Sequence, residues 1–121
     1  MKTPSPNLFF LKKLFVGIFF STFFVLNTSV QAAVPAAIAD VTAFGEDAQV
    51  VLAWTAPNNG GSAITDYLVE YKLSTSDTWL TFSDGVSTNA TATVTSLTNA
   101  SLYNFRVSAI NGDGTATASN T

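Results

Sequence analysis

The chain contains no cysteine and no histidine. Disulfide staples, thiol nucleophiles, Ser-His-Asp triads and Cys/His zinc centres are thereby excluded. Positive charge is scarce as well: five Lys and Arg face eight Asp and Glu in 121 residues. It is also unevenly placed. Lys2, Lys12 and Lys13 fall in residues 1–32, which hold no acid and seven of the ten Phe. Residues 33–121 keep two cations, Lys72 and Arg106, against all eight acids, a net charge of −6. Nucleic-acid binding leaves a basic footprint, and so acidic a segment is repelled by phosphate. Walker and Rossmann glycine loops are missing too. The longest uncharged apolar run, Leu14 to Leu26, has 13 residues, whereas a membrane-spanning helix needs about 20.

What is present begins with an export leader. A basic n-region from Lys2 to Lys13 precedes the Leu14–Leu26 run, and Asn27 to Gln31 is polar and turn-prone. Val30-Gln31-Ala32 then offers the small-x-small pattern of a cleavage site. Residues 1–32 are therefore expected to be a signal peptide cut after Ala32, with a cut after Ala33 as the alternative. A secreted, cell-surface or periplasmic product follows, touching membrane only through its leader. Without Cys it must hold together by core packing.

The remaining 89 residues are short of helix signals and rich in Ser and Thr, 23 by count. Period-two alternation is clear instead. Val50, Leu52 and Trp54 alternate with Gln49, Val51 and Ala53. Tyr67, Val69 and Tyr71 alternate with Leu68, Glu70 and Lys72. Tyr103, Phe105, Val107 and Ala109 alternate with Asn104, Arg106, Ser108 and Ile110. Strands with one face on a core and one in water read this way. Weaker strands are expected at Ala39–Phe44, Thr78–Phe82 and Thr91–Thr95. Turn clusters separate them at Gly45–Asp47, Pro57–Gly61, Ser83–Gly85 and Asn111–Gly114. The expected class is all-β, an antiparallel sandwich with Greek-key connections. Its expected core is Val50, Leu52, Trp54, Tyr67, Val69, Tyr71, Leu97, Tyr103, Phe105 and Val107.

The stretch from Pro35 to Thr121 resembles a fibronectin type III domain, especially those of secreted bacterial proteins. Ala48 to Trp54 resembles the family's strand with a buried Trp. Pro57 and Gly60-Gly61 match the loop after it, and Ile64, Tyr67, Val69 and Tyr71 the next strand. Trp79 matches a following edge aromatic. Leu97 and Tyr103 stand at the spacing of the family's tyrosine corner, in which a hydroxyl bonds backbone a few residues upstream. Asn111 and Gly114 match the end of the family's sixth strand and the turn that follows it. Ser96 departs from the pattern, standing where Gly or Asn is common. The chain stops at Ser119-Asn120-Thr121, about where the family's seventh strand begins. The resemblance therefore implies an immunoglobulin-like sandwich with about six strands of seven, residues 33–121 forming a C-terminally incomplete domain. Downstream sequence would supply the missing strand.

Chemistry is sparse. Glu46, Asp47, Asp84 and Asp113 fall in turns, where Asp is expected for local hydrogen bonding. Asp66 and Glu70 fall on the solvent face of a strand. No pair reads as the two carboxylates a glycosidase requires. No Asp-x-Asp-x-Asp run offers calcium several converging oxygens. No catalytic residue, metal ligand or cofactor site is expected. Asn89-Ala90-Thr91 and Asn99-Ala100-Ser101 are formal glycosylation sequons of little weight in so Ser/Thr/Asn-rich a chain. No Arg-Gly-Asp tripeptide occurs, so the integrin-binding role of some family members does not carry over.

The expectation is a non-catalytic secreted module, spacer or protein-interaction unit of a larger extracellular protein. Its first candidate contact surfaces are the loop Pro57 to Ser62, through Pro57, Asn58 and Asn59, and the last turn Asn111 to Gly114, through Asn111 and Asp113, because sandwich loops cluster at the ends. Trp79 is read as covering the core edge. If exposed instead, it would stack on a sugar ring or a partner. The alternative function is accordingly a carbohydrate-binding accessory module of a secreted hydrolase. A third reading places the activity in an enzyme attached downstream.

Overall fold

A computed structural model describes residues 31–119. The expected leader, apart from Gln31 and Ala32, and the last two residues lie outside the described residues.

The alternating segments form seven strands: β1 (Val41–Glu46), β2 (Gln49–Trp54), β3 (Ile64–Leu73), β4 (Leu80–Phe82), β5 (Thr91–Thr95), β6 (Tyr103–Asn111) and β7 (Gly114–Thr115). They build two antiparallel sheets, ordered β1-β2-β5 and β4-β3-β6-β7. The inward faces meet in one core. Leu52, Trp54, Ala92, Val94 and Leu97 enter it from the three-stranded side. Tyr67, Val69, Phe105, Val107, Ala109 and Ala116 enter from the other, and Ile38, just before β1, joins the same core. Every core residue expected from alternation is buried or packed against this cluster; Val50, Tyr71 and Tyr103 are the partly exposed ones. Trp54 and Tyr67 meet edge to face at 5.0 Å between ring centres, the favoured geometry for two quadrupoles.

The fourth strand is shorter than expected, starting at Leu80 rather than Thr78, and two further boundaries differ for reasons outside the local sequence. The first strand runs two residues later than Ala39–Phe44. Pairing of Glu46 with Gln49 leaves Asp47-Ala48 as a two-residue turn, with Ala48 at φ 53°. Asn99 Oδ1 accepts from Ala48 N at 2.8 Å, and Leu97 N donates to Ala48 O at 3.0 Å. The hairpin is thus held by the β5–β6 connection, 51 residues away in sequence.

The seventh strand is the larger correction. It begins at Gly114, inside the expected last turn, because Asn111 pairs directly with Gly114 and Ile110 with Thr115. Beyond it, Ala116 N donates to Ala109 O at 2.8 Å and Ser119 N to Val107 O at 2.9 Å. Ser119 Oγ also accepts from Val107 N at 2.9 Å. Ser119 reaches Val107 one residue later than regular pairing allows, so the segment carries an irregularity of the bulge kind. Among the described residues the strands therefore number seven where about six were expected, the last one short.

The tyrosine corner is present: Thr98 N donates to the Tyr103 hydroxyl at 3.1 Å. Tyr103→Phe keeps the ring and removes this bond. It is expected to cost about 0.5–1.5 kcal/mol in urea unfolding. Ser96 just upstream has φ 63°, left-handed backbone that a Cβ disfavours by roughly 1–2 kcal/mol. Its side chain is exposed. Ser96→Gly is therefore expected to raise stability by about 0.5–1 kcal/mol in the same assay, after the unfolded-state entropy of Gly is offset.

Candidate functional site

Two places on the sandwich gather the side chains of interest. The first is the end where the β2–β3 loop (residues 55–63) meets the β6–β7 turn (residues 112–113). Its organiser is Asn111, the last residue of β6, which the strand's alternation turns inward. Asn111 is buried. Its Nδ2 donates to Ala33 O at 2.7 Å and to Asn59 O at 2.9 Å. Its Oδ1 accepts from Asp113 N at 2.9 Å and Gly114 N at 3.1 Å. One amide thus ties three segments, and Asn111 presents nothing to a partner. It belongs to the scaffold of the loop end, a correction to its expected place among surface contacts.

The other expected contacts are partly engaged in the same way. Asn58 and Asn59 are exposed, but each side-chain oxygen accepts a backbone N–H two residues on, from Gly60 at 2.9 Å and Gly61 at 3.0 Å. Asp113 is exposed and accepts from the Ser62 hydroxyl, bridging loop to turn. Pro57 is half-buried. The structure therefore brings Asn58, Asn59, Asn111 and Asp113 together, as a pre-organised rim. Ser62, the end of the expected contact loop, belongs to this rim; what was not foreseen is the incoming segment, Ala33 and Ala36, whose N–H donates to the carbonyl of Asn58 at 2.9 Å. Only the paired glycines at 60 and 61 hinted at a close backbone approach.

The second place is the outer face of the four-stranded sheet. Pairing of β3 with β6 puts Glu70 opposite Arg106, and Arg106 reaches both carboxylate oxygens, Nε to Oε2 at 2.6 Å and NH2 to Oε1 at 2.9 Å. This bond holds the Arg106 guanidinium further above its already high ordinary value. Trp79 lies here, half-buried, with the Arg106 guanidinium 4.3 Å and the Lys72 ammonium 5.2 Å from its ring centre. Trp79 is thus absent from the core cluster. The expectation that it covers the core edge is corrected: both cations of residues 33–121 draw it onto the outer face. Opposite charges at paired positions cannot be read before the register is known, which is why this group escaped the sequence.

The carboxylates are engaged locally. Asp40 accepts from the Thr55 hydroxyl at 2.7 Å, which lowers its pKa from the ordinary 3.8. Asp66 accepts from Tyr67 N and Ser87 N, Glu46 from Gln49 and Asp47 from Asn99. With Glu70 and Asp113, six of the eight acids stabilise their own surroundings. The surface grooves are small. One of about 270 Å³ is lined by Tyr71, Leu73, Leu80, Leu97 and Tyr103, and one of about 230 Å³ by Asp66, Phe82 and Val86 among others. Both fall below the roughly 300–1,000 Å³ usual for a small-molecule site.

The strand order, the buried Trp on β2 and the tyrosine corner together decide the kinship, and the fibronectin type III domain family matches residues 36–121. The chain belongs to the fibronectin type III family. Its relatives include the fast-type myosin-binding protein C of Mus musculus and of Homo sapiens, each 37% identical over 75 residues. The match covers 61% of this chain but 6% of either relative. Among solved structures, titin kinase with its flanking domains matches at TM-score 0.66 and 35% identity, over 74% of this chain and 16% of that one. The twitchin kinase region of C. elegans matches at TM-score 0.63 and 25% identity, over 70% and 15%. This fibronectin type III module is thus similar to one unit within long chains. None of these relatives is described as a secreted bacterial protein, so that part of the resemblance rests on the sequence alone.

Proposed function

We propose that residues 33–121 act as an exported, non-catalytic fibronectin type III module, a spacer or protein-interaction unit in a larger extracellular protein of the secreted bacterial kind. The support for export is the basic, apolar and small-x-small pattern of residues 1–32. The observation that carries the non-catalytic reading is that the polar groups are engaged in the scaffold. Six acids, both cations and the loop-end asparagines hold the sandwich's own backbone and side chains. A rigid unit with closed loops transmits position, which suits a spacer, and leaves the loop-end rim as its contact surface for protein.

The carbohydrate-binding alternative needs aromatic faces open to a sugar ring. Trp79 is instead stacked by a guanidinium and an ammonium within 5.2 Å. The two readings separate on a glycan array probed with the exported chain and its Trp79→Ala variant. No glycan signal from either is expected, with a stability loss of about 1 kcal/mol in the variant from the cation–π contacts. A soluble-glycan signal abolished by Trp79→Ala would replace the spacer reading with the alternative.

A further inference from the structure

The segment leading out of the expected leader is woven into the loop end. Ala33 N donates to Gly60 O at 2.8 Å, and Ala33 O accepts from Asn111 Nδ2 at 2.7 Å. Val34 follows against the β6–β7 turn: a Cβ on Gly114 would stand 3.0 Å from Val34 Cγ1. A Cβ on Gly60 would stand 2.2 Å from Ala33 O and 2.6 Å from Val34 O. Backbone meets backbone here at a distance only glycine permits. Gln31 to Val34 are all exposed, and burial begins at Pro35.

We propose that Ala32–Ala33 is the processing bond of this chain, and that Ala33, once freed, is a terminal clasp holding the β2–β3 loop to the β6–β7 turn. The inference rests on the export reading and deepens it by giving the expected cut after Ala32 a structural consequence that the alternative cut would lose. Hydrolysis by a signal peptidase breaks the Ala32–Ala33 amide. Water supplies a hydroxyl to the Ala32 carbonyl carbon and a proton to the Ala33 nitrogen, and the leader departs as a carboxylate. The new α-amine, with an ordinary pKa of about 7.7–8.0, is largely ammonium at neutral pH. It keeps N–H donors for Gly60 O, now in a charge-assisted bond. A cut one residue later removes both Ala33 contacts. One hydrogen of the buried Asn111 amide then loses its acceptor, a costly state for a buried donor. The clasp thus needs a chain that retains Ala33, which a cut after Ala32 leaves in place and a cut after Ala33 removes.

The experiment exports the full 121-residue chain from a bacterial host beside a version lacking Ala33, whose cut after Ala32 leaves Val34 first. Product masses, thermal midpoints and amide exchange are measured. The expected wild-type product begins at Ala33. The deletion product is expected to melt roughly 5–10 °C lower, with exchange at residues 58–61 and 111–114 at least about tenfold faster. A wild-type product beginning at Val34 overturns the processing bond, and equal midpoints and exchange overturn the clasp. An export host that leaves the chain uncut overturns the export reading, while the same comparison on uncut chains still decides the clasp. Should the deletion product not accumulate, Gly60→Ala is compared with Gly85→Ala. Both positions have positive φ, at 69° and 81°, but an added Cβ at Gly85 has nothing within 4 Å. A larger midpoint loss at Gly60 supports the clasp; equal losses sink it.

Discussion

Trp54→Ala is expected to leave the module largely unfolded at 37 °C. Trp54 sits where β2 faces the other sheet, 8% exposed, against the Tyr67 ring at 5.0 Å. Truncating a buried Trp costs about 3–5 kcal/mol through lost transfer energy and the cavity left behind. A small domain has only about 5–15 kcal/mol in total, and one of this size lies toward the lower end. The companion variant separates packing from hydrogen bonding. The Trp54 indole Nε1 is buried without a hydrogen-bond partner, so its desolvation already weighs against the native state. Trp54→Phe removes that donor while keeping most of the ring. It is therefore expected to cost less than half as much as Trp54→Ala. Denaturant midpoints for the two variants and the parent check this. A Phe variant as damaged as the Ala variant would show that the indole N–H matters after all.

Asn111→Ala is expected to be the most damaging polar substitution, at about 2–4 kcal/mol. The buried amide makes four hydrogen bonds, to Ala33 O, Asn59 O, Asp113 N and Gly114 N. Removing it leaves two carbonyls and two N–H groups to find water at a closed loop end, where each orphaned buried group costs about 1–3 kcal/mol and partial hydration returns some of it. Asn111→Asp tests the polarity of the arrangement. A carboxylate still accepts from Asp113 N and Gly114 N, but it faces Ala33 O and Asn59 O with no donor. The Asp variant is therefore expected to remain well below wild type at pH 7 and to recover part of its stability as the pH falls and the carboxyl gains a proton. Urea unfolding at pH 7 and pH 4 reads both effects. A pH-independent Asn111→Asp variant equal to wild type would remove Asn111 from the centre of the loop end.

Both residues were named from the sequence, with unequal success. Trp54 was legible because strand alternation is a local property: a period of two assigns Val50, Leu52 and Trp54 to one face whatever the partner strand. Tyr103 and Leu97 were legible through the spacing of a recurring corner. Ser96 was visible as a departure from the family pattern, and its φ of 63° shows what the family's Gly or Asn answers to. Asn111 was recognised as a strand-end and turn residue and a candidate contact, since Asn in an Asn-Gly-Asp-Gly tetrapeptide is turn-typical on any account. That it is buried depends on Ala33, which lies 78 residues away in the chain.

Trp79 marks the same limit. An aromatic beside a short edge strand can turn either way, and local pattern favoured the core. What decided its place was the register of β3 on β6, which sets Glu70 opposite Arg106 and turns both cations to the outer face. The short β7 was likewise missed because its pairing begins inside a segment rich in turn residues. By itself, the sequence determined the all-β class, the faces of the three main strands, the aromatic core and the family. Tertiary structure alone decided where Trp79 stacks, what Asn111 holds, and that Ala33 closes the loop end. The reason is physical: a strand's two faces follow from backbone geometry residue by residue, whereas a hydrogen bond or ion pair between distant segments exists only once the sheets have set their register.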